Sequence, residues 1–241
     1  LAISIVALAI LVVSSLMWWT KVHDSPNRVF NGMLRNNLSV TSVTRTTTSL
    51  QDTGFSKVEQ ISFVSPSATH ALITIDQPEE SGGSKVRTET IGTLTNDFSR
   101  YLSISTSQKS ESGKELDFSS VKGLWGKTEG DARPAYFAEA MQGIVPFANL
   151  GPVARDQVIE SIKTTKAYEV DFANVKPKRI GRRSALVYPV KVNLEAYVKI
   201  IKDLSKRAGV PDTSSLNPEY YKGQPPIEIS LTVDKLSRQV I

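Results

Sequence analysis

The amino-acid sequence predicts an α+β protein in which an N-terminal transmembrane helix precedes an antiparallel sheet packed with helices. The first observation is an uncharged, apolar run over residues 1–19. The second is a group of five β-rich segments within residues 38–106, separated by turn-forming residues, which is typical of an antiparallel meander. The third is that strands and helices occur in separate groups along the chain, which favours helices packed on one face of an antiparallel sheet.

The apolar run contains no charge, proline or glycine, and it closes with Trp18 and Trp19 before Lys21. As a helix it would be roughly 28 Å long, close to the thickness of a bilayer's hydrocarbon core. Tryptophan beside lysine is typical of the membrane interface. A buried core helix would have a polar face, and a cleaved signal peptide would be shorter and end in small residues. We therefore expect residues 1–20 to be a single-pass anchor in the cell membrane, with the bulk of the chain extracytoplasmic.

Residues 21–37 are predicted as a juxtamembrane helix, and residues 38–241 as a single extracytoplasmic α+β domain. In the helix, Ser25 is a candidate cap and Pro26 suits the first helical position. The chain starts without methionine and stops at Ile241 in mid-pattern, so we expect further sequence beyond both ends. The apolar side chains that share one face of this helix are Val29, Phe30, Met33 and Leu34.

Composition excludes several classes of protein. The chain has no cysteine, which excludes disulfides, thiolate metal sites and a lipidated cysteine. An exported domain of this size without disulfides suits a bacterial envelope. The net charge is +5, with short basic clusters at Lys176–Arg179 and Arg182–Arg183. Nucleic-acid binding would require a denser basic stripe with aromatic residues between the cations, so a solvated cationic surface facing an anionic envelope is the favoured interpretation.

The five β-rich segments alternate apolar and polar side chains. One side of each predicted strand is apolar and the other is rich in serine and threonine, as in a sheet with one solvated face. The predicted strands are Leu38–Leu50, Phe55–Ser65, Ala71–Ile75, Lys85–Leu94 and Phe98–Thr106.

Beyond Phe118 the apolar residues recur at helical spacing. The best-defined helix is Leu194–Ala208, because Asn193 is a good N-cap and Gly209 is a good left-handed stop. The other predicted elements are the helices Pro134–Phe147 and Pro152–Thr164 and the strands Tyr168–Phe172, Ala185–Val192 and Ile227–Asp234.

Two stretches carry a resemblance to a known family. Ala185–Ile201 runs from a strand directly into a capped amphipathic helix, and Ile227–Ile241 is predicted as a strand, an aspartate turn and a return strand. With the N-terminal helix and the meander, this order resembles the LolA/LppX-like envelope lipoprotein carriers. The resemblance implies a curved antiparallel sheet, like a half-barrel, that is closed by helices and holds acyl chains on its concave face. The chain lacks the cysteine of lipid-anchored relatives, so the resemblance implies local lipid binding.

Catalytic and metal-binding constellations are weak in this sequence. Ser119 and Lys122 have the S-x-x-K spacing of serine enzymes that bind penicillin, but the companion motifs are absent. The two histidines, His23 and His70, have no metal-ligand spacing. The paired acids Glu79-Glu80 and Glu129/Asp131 lie beside glycines, as solvated turn residues do. We expect no enzyme activity, no metal and no cofactor.

Apolar residues on the predicted strands and helices are candidates for either a filled core or the lining of a cavity for an apolar ligand, and a filled core is the commoner outcome. The candidate lining residues are Ile61, Phe63, Ile73, Ile75, Phe137, Met141, Ile144, Tyr188, Val190, Tyr197, Ile201, Leu231 and Val233.

The sequence therefore predicts a membrane-anchored extracytoplasmic domain that binds a lipid or another apolar ligand in the cell envelope without catalysis. The alternative is a structural or interaction ectodomain of an envelope assembly, with a filled core and a protein partner. The expected partners are the membrane, through residues 1–19, and either a lipid ligand or an envelope protein, and no nucleic acid is expected.

Overall fold

A computed structural model describes residues 11–15, 24–49, 54–65, 67–78, 83–128 and 136–241. The chain separates into two compact units. The meander unit comprises Val40–Leu150 and Leu204–Thr213, and the terminal unit comprises the residues up to Ser39 together with Gly151–Asp203 and Ser214–Ile241.

The predicted transmembrane helix requires a correction. In the part of the chain that the structure describes, no helix is both long enough and apolar enough to cross a bilayer. Leu194–Arg207, the longest described helix, has 14 residues, whereas a span needs about 20. The proposed anchor over residues 1–20 lies outside the described residues except for residues 11–15, which are helical and exposed. The observed fold class is α+β with antiparallel sheets.

The predicted five-stranded meander is confirmed. Each strand pairs antiparallel with the next, and a short sixth strand follows, so that the order in the sheet is the order in the chain. The alternation that predicted the strands is visible in β3, where Ala71 and Ile73 are buried and their neighbours are less so. The strands are β1 Ser42–Thr48, β2 Ser56–Ser65, β3 Ala68–Gln77, β4 Ser84–Thr93, β5 Asp97–Thr106 and β6 Gly126–Lys127.

One face of the meander is covered by a helix that is shorter than predicted. This helix, labelled α2, covers Tyr136–Ala140. Ile61, Ala71 and Ile73 pack with its Tyr136 and Ala140 in one buried cluster. The prediction of a helix as far as Phe147 was wrong, because the chain leaves the helix at Ala140, before Gly143 and Pro146.

The first helix of the terminal unit is α1, Pro26–Asn37, which confirms a helix in this segment and its predicted apolar face. The Ser25 side chain makes no capping hydrogen bond, so the helix starts with Pro26 at its first position instead. Gly32, an unfavourable residue for a helix interior, lies against the Arg238 side chain, and a Cβ at Gly32 would collide with it. Close packing therefore explains this glycine.

The second sheet lies in the terminal unit. Strand β9 pairs antiparallel with β10, β7 and β8. The strand β8 was not predicted, because all five of its residues are exposed and it has no apolar alternation. The predicted strand to Phe172 ends at Val170, because Asp171 caps a 3₁₀ turn over Phe172–Asn174. The elements are α3 Pro152–Thr164, β7 Tyr168–Val170, β8 Lys176–Ile180, β9 Arg183–Val192, α4 Leu194–Arg207 and β10 Ile227–Asp234.

Both ends of α4 confirm the predicted caps. The Asn193 side chain accepts a hydrogen bond from the Ala196 amide at 3.1 Å. At the other end Gly209 has φ +85°. The Val210 amide donates to the Ser205 carbonyl at 2.9 Å and the Gly209 amide donates to the Lys206 carbonyl at 3.0 Å, which is the Schellman arrangement.

Candidate functional site

The predicted cavity residues of the meander unit are mostly buried side chains. Ile144 is the exception, since it is 61% exposed beyond the end of α2. Ile75 is partly buried and packs against the cluster under α2. The remaining members are at most 9% exposed: Ile61, Phe63, Ile73, Phe137 and Met141.

The other predicted cavity residues belong to the terminal unit. Tyr197 is partly buried, with its ring 6.4 Å from that of Tyr168. Val190 also lines a surface groove. The structure thus divides the predicted cavity residues between two units. The assignment of these residues as ligand-binding stays a prediction. The most deeply buried members, each at most 2% exposed, are Tyr188, Val190, Ile201, Leu231 and Val233.

The weak catalytic candidates are engaged in local structure. The Ser119 hydroxyl donates to Asp117 at 3.0 Å within an exposed turn. His70 pairs with Glu89, at 2.7 Å. In the described part of the chain no group of three potential ligands could hold a metal ion. Outside the described residues lie His23, Glu79-Glu80 and Glu129/Asp131.

A buried ionic cluster lies on the face of the meander that α2 covers. Glu59 is 1% exposed, and its carboxylate accepts a hydrogen bond from Arg45 Nε at 2.6 Å and lies 3.0 Å from Lys57 Nζ. Burial opposes ionisation, but the hydrogen bonds and charges of Arg45 and Lys57 hold the pKa of Glu59 below its usual value. Arg45 also donates to the Gln142 carbonyl. Through these contacts the cluster links β1 and β2 to the segment that follows α2.

A groove of about 500 Å³ lies over one face of the second sheet. Lys191 on β9 stands opposite both Glu169 on β7 and Glu228 on β10, and its ammonium group is 3.3 Å from the Glu228 carboxylate. The groove is open, and charged side chains form much of its wall. It is therefore poorly suited to an acyl chain.

A segment of the meander unit that lies beside β5 carries exposed apolar side chains. We call Val121, Leu124 and Trp125 the Trp125 surface. They are 42%, 65% and 44% exposed. Three apolar positions within five residues of this segment are exposed, and exposed apolar side chains that form a patch mark contact sites.

Backbone hydrogen bonds hold this segment along β5. Its turn begins at Phe118, whose carbonyl accepts from the Lys122 amide at 3.1 Å, and Gly123 follows with φ +81°. The Gly123 amide then donates to the Tyr101 carbonyl at 2.8 Å, and β6 pairs with β5 from Gly126, three residues later. The backbone of the segment is therefore bonded to β5, and its residues from Ser119 to Lys127 are exposed.

The indole of Trp125 has a fixed cationic neighbour. The Arg100 guanidinium lies 4.8 Å from the centre of the Trp125 ring, a cation–π geometry. Glu89 fixes this guanidinium, since its Oε2 atom accepts from Arg100 Nε at 2.6 Å while Oε1 pairs with His70. Hydrogen bonds from His70 and Arg100 lower the pKa of Glu89. This series of side-chain contacts, which runs from β3 to the residue before β6, therefore positions the Trp125 indole at the surface.

The segment from Phe118 to Lys127 carries cations, and Asp117 immediately before it accepts a hydrogen bond from Ser119. Lys122 and Lys127 are exposed, and no acidic residue occurs from Phe118 to Lys127. An exposed indole and aliphatic side chains beside lysines are the side chains that proteins place at a lipid–water interface. Sequence reasoning missed this site, because the segment has no helical or strand periodicity; the available indication was a tryptophan between a leucine and a glycine, with lysines on both sides.

No protein-family model matches this chain, and no curated protein is similar to it in sequence. The resemblance to the LolA/LppX-like carriers stays a prediction.

Proposed function

We propose that this protein is a non-enzymatic lipid-binding protein of the cell envelope that contacts lipid through the Trp125 surface. The observation that carries the proposal is the exposure of Leu124 and Trp125 on a segment held in place by its backbone. Fully burying an apolar side chain of this size contributes about 2 kcal/mol. Because these side chains are already partly covered, the contact is weak and reversible.

The placement of the sequence-predicted cavity residues also supports a surface contact. Twelve of the thirteen are buried or partly buried within the two units, and of the thirteen only Val190 lines the open groove over the second sheet. The second candidate is a protein partner, because Trp and Arg are enriched at the energetic centre of protein interfaces. Trp125 and Arg100 supply this pair.

A test of the lipid contact uses the full chain with Trp18→Phe and Trp19→Phe, so that Trp125 is the only tryptophan. We expect phosphatidylcholine vesicles with brominated acyl chains to quench Trp125 fluorescence and non-brominated vesicles to shift its emission to the blue. The matched control carries Trp125→Phe and Tyr220→Trp, because Tyr220 is 73% exposed and lies in the other unit. Equal quenching at positions 125 and 220, or none at 125, would contradict the proposal.

A further inference from the structure

The excess positive charge of the chain is concentrated in one hairpin. The chain has 29 basic and 24 acidic residues. Residues 176–183 contain five of the basic residues and no acidic residue, so the remaining 24 basic residues balance the 24 acidic ones. The five cations are Lys176, Lys178, Arg179, Arg182 and Arg183.

The hairpin is a tight one that exposes these cations. Strand β8 is exposed along its length, and Ile180 pairs with Arg183 across a two-residue turn. Gly181 takes φ +57° at the first turn position, as glycine does in type II′ hairpins. Lys176, Lys178 and Arg182 make no ion pair within the described residues.

A second loop emerges from the same end of this sheet. Asp234 stands opposite Ala185 in the register, and the next amide, that of Lys235, donates to the Ser184 carbonyl at 2.9 Å. Asp234 fixes the loop by accepting from the Leu236 amide at 3.0 Å. Leu236 is therefore held outward, 84% exposed.

Both loops at this end present an aliphatic side chain beside basic residues. Ile180, 39% exposed, lies between Arg179 and Arg182. Leu236 follows Lys235, whose ammonium group is 3.2 Å from the Asp24 carboxylate. We call the hairpin and the loop 235–238 the basic end of the terminal unit. No aromatic residue occurs in either, so the basic end lacks the stacking platforms of a nucleic-acid site.

We propose that the basic end binds the anionic headgroups of a phospholipid bilayer. This inference rests on the proposed lipid-binding function and names the lipid class. Guanidinium groups form paired hydrogen bonds with phosphate, and each lysine or arginine close to an anionic leaflet strengthens binding about fivefold. Ile180 and Leu236 then reach the headgroup boundary, where aliphatic side chains are favoured.

The absence of cysteine gives a direct test. The full chain carrying Ile180→Cys is labelled with an environment-sensitive fluorophore and mixed with vesicles of phosphatidylcholine alone or with phosphatidylglycerol. We expect a blue shift with the anionic vesicles that weakens as salt is added. Arg179→Gln with Arg182→Gln should weaken this response about 25-fold. Lys163→Gln with Lys166→Gln, which removes the same charge elsewhere in the terminal unit, should leave it nearly unchanged.

Three outcomes would overturn the inference: an equal response to neutral vesicles, equal weakening by the two pairs of substitutions, or a stronger response to DNA than to anionic vesicles. The Trp125 quenching experiment uses neutral lipid and a different residue. If the fluorophore at position 180 showed no blue shift while Trp125 was quenched, the headgroup site would be refuted and the proposed lipid contact would stand. Unquenched Trp125 would refute the proposed lipid contact, whatever the label reports.

Discussion

The Arg100 guanidinium lies over the Trp125 ring, 4.8 Å from its centre, and joins an exposed indole to the body of the meander. The arginine is itself fixed by Glu89, which also pairs with His70. The indole is thus supported on one side and accessible on the other. The position of Trp125 therefore depends on side chains from three neighbouring strands, and not on its own segment alone.

Removing the guanidinium should expose the indole to water. We expect Arg100→Ala, in the chain with Trp125 as its only tryptophan, to shift the emission to the red and to increase quenching by acrylamide. The interaction is worth about 0.5–1 kcal/mol at an exposed site, so the fold should persist. Arg87→Ala is the matched control, since Arg87 is exposed on β4. An unchanged spectrum in Arg100→Ala would show that the stacking does not exist in solution.

The buried carboxylate of Glu59 should make the meander unit sensitive to acid. Its pKa is lowered in the folded protein, so its contribution to stability is fully present above the pKa of the unfolded chain and is lost as pH falls through the folded pKa. Glu59→Gln should cost about 3 kcal/mol at neutral pH, because Arg45 and Lys57 lose their counterion. It should also flatten the loss of stability below about pH 4.5.

Urea unfolding followed by Trp125 fluorescence at several pH values measures both effects. Glu111→Gln, at an exposed position of the same unit, should retain the acid sensitivity of the parent chain. A Glu59→Gln chain with the parent's pH dependence would contradict the assignment.

The Tyr136 hydroxyl is a buried group with no hydrogen-bond partner within the described residues. Burial and the charge of Glu59 raise the pKa of Tyr136. Because an unsatisfied buried hydroxyl is costly, Tyr136→Phe should stabilise the fold by about 1 kcal/mol. Tyr188→Phe is the opposite case, since the Tyr188 hydroxyl donates to the Pro26 carbonyl at 2.9 Å. It should destabilise the fold, and urea unfolding that showed the reverse order would refute this account of the two tyrosines.

Gly209 terminates α4 in the left-handed region, with φ +85°. A Cβ is strained there, so Gly209→Ala should cost about 1 kcal/mol. Gly151→Ala should cost less, because Gly151 has φ −63° and open space around it. Thermal unfolding of the two variants measures the difference, and equal losses would argue against the capping role.

The sequence predicted the elements whose periodicity was regular. Strand β10 was predicted residue for residue, because Ile227, Ile229, Leu231 and Val233 alternate without interruption. Glu59 has the same parity as Ile61 and Phe63, so the alternation alone places it on the buried face. Its partner Arg45 could not be predicted, because that pairing depends on the register between β1 and β2.

The surfaces proposed to contact lipid were harder to predict, because they lie where periodicity is absent. The helix proposed to reach Phe147 followed helical spacing beyond Ala140, although Gly143 and Pro146 interrupt it. Strand β8 forms through pairing with β9 and has no buried side chain of its own. The Trp125 segment is likewise held by backbone bonds to β5. In the last two cases pairing with another strand decides the local structure.

The most direct measurement of the central claim is photo-crosslinking from position 124 in a membrane preparation, with p-benzoylphenylalanine in place of Leu124. We predict adducts whose added mass is that of one lipid, and far fewer adducts when the same amino acid replaces Tyr220. An adduct to a protein at position 124, or equal lipid labelling at both positions, would contradict the assignment of this surface to lipid.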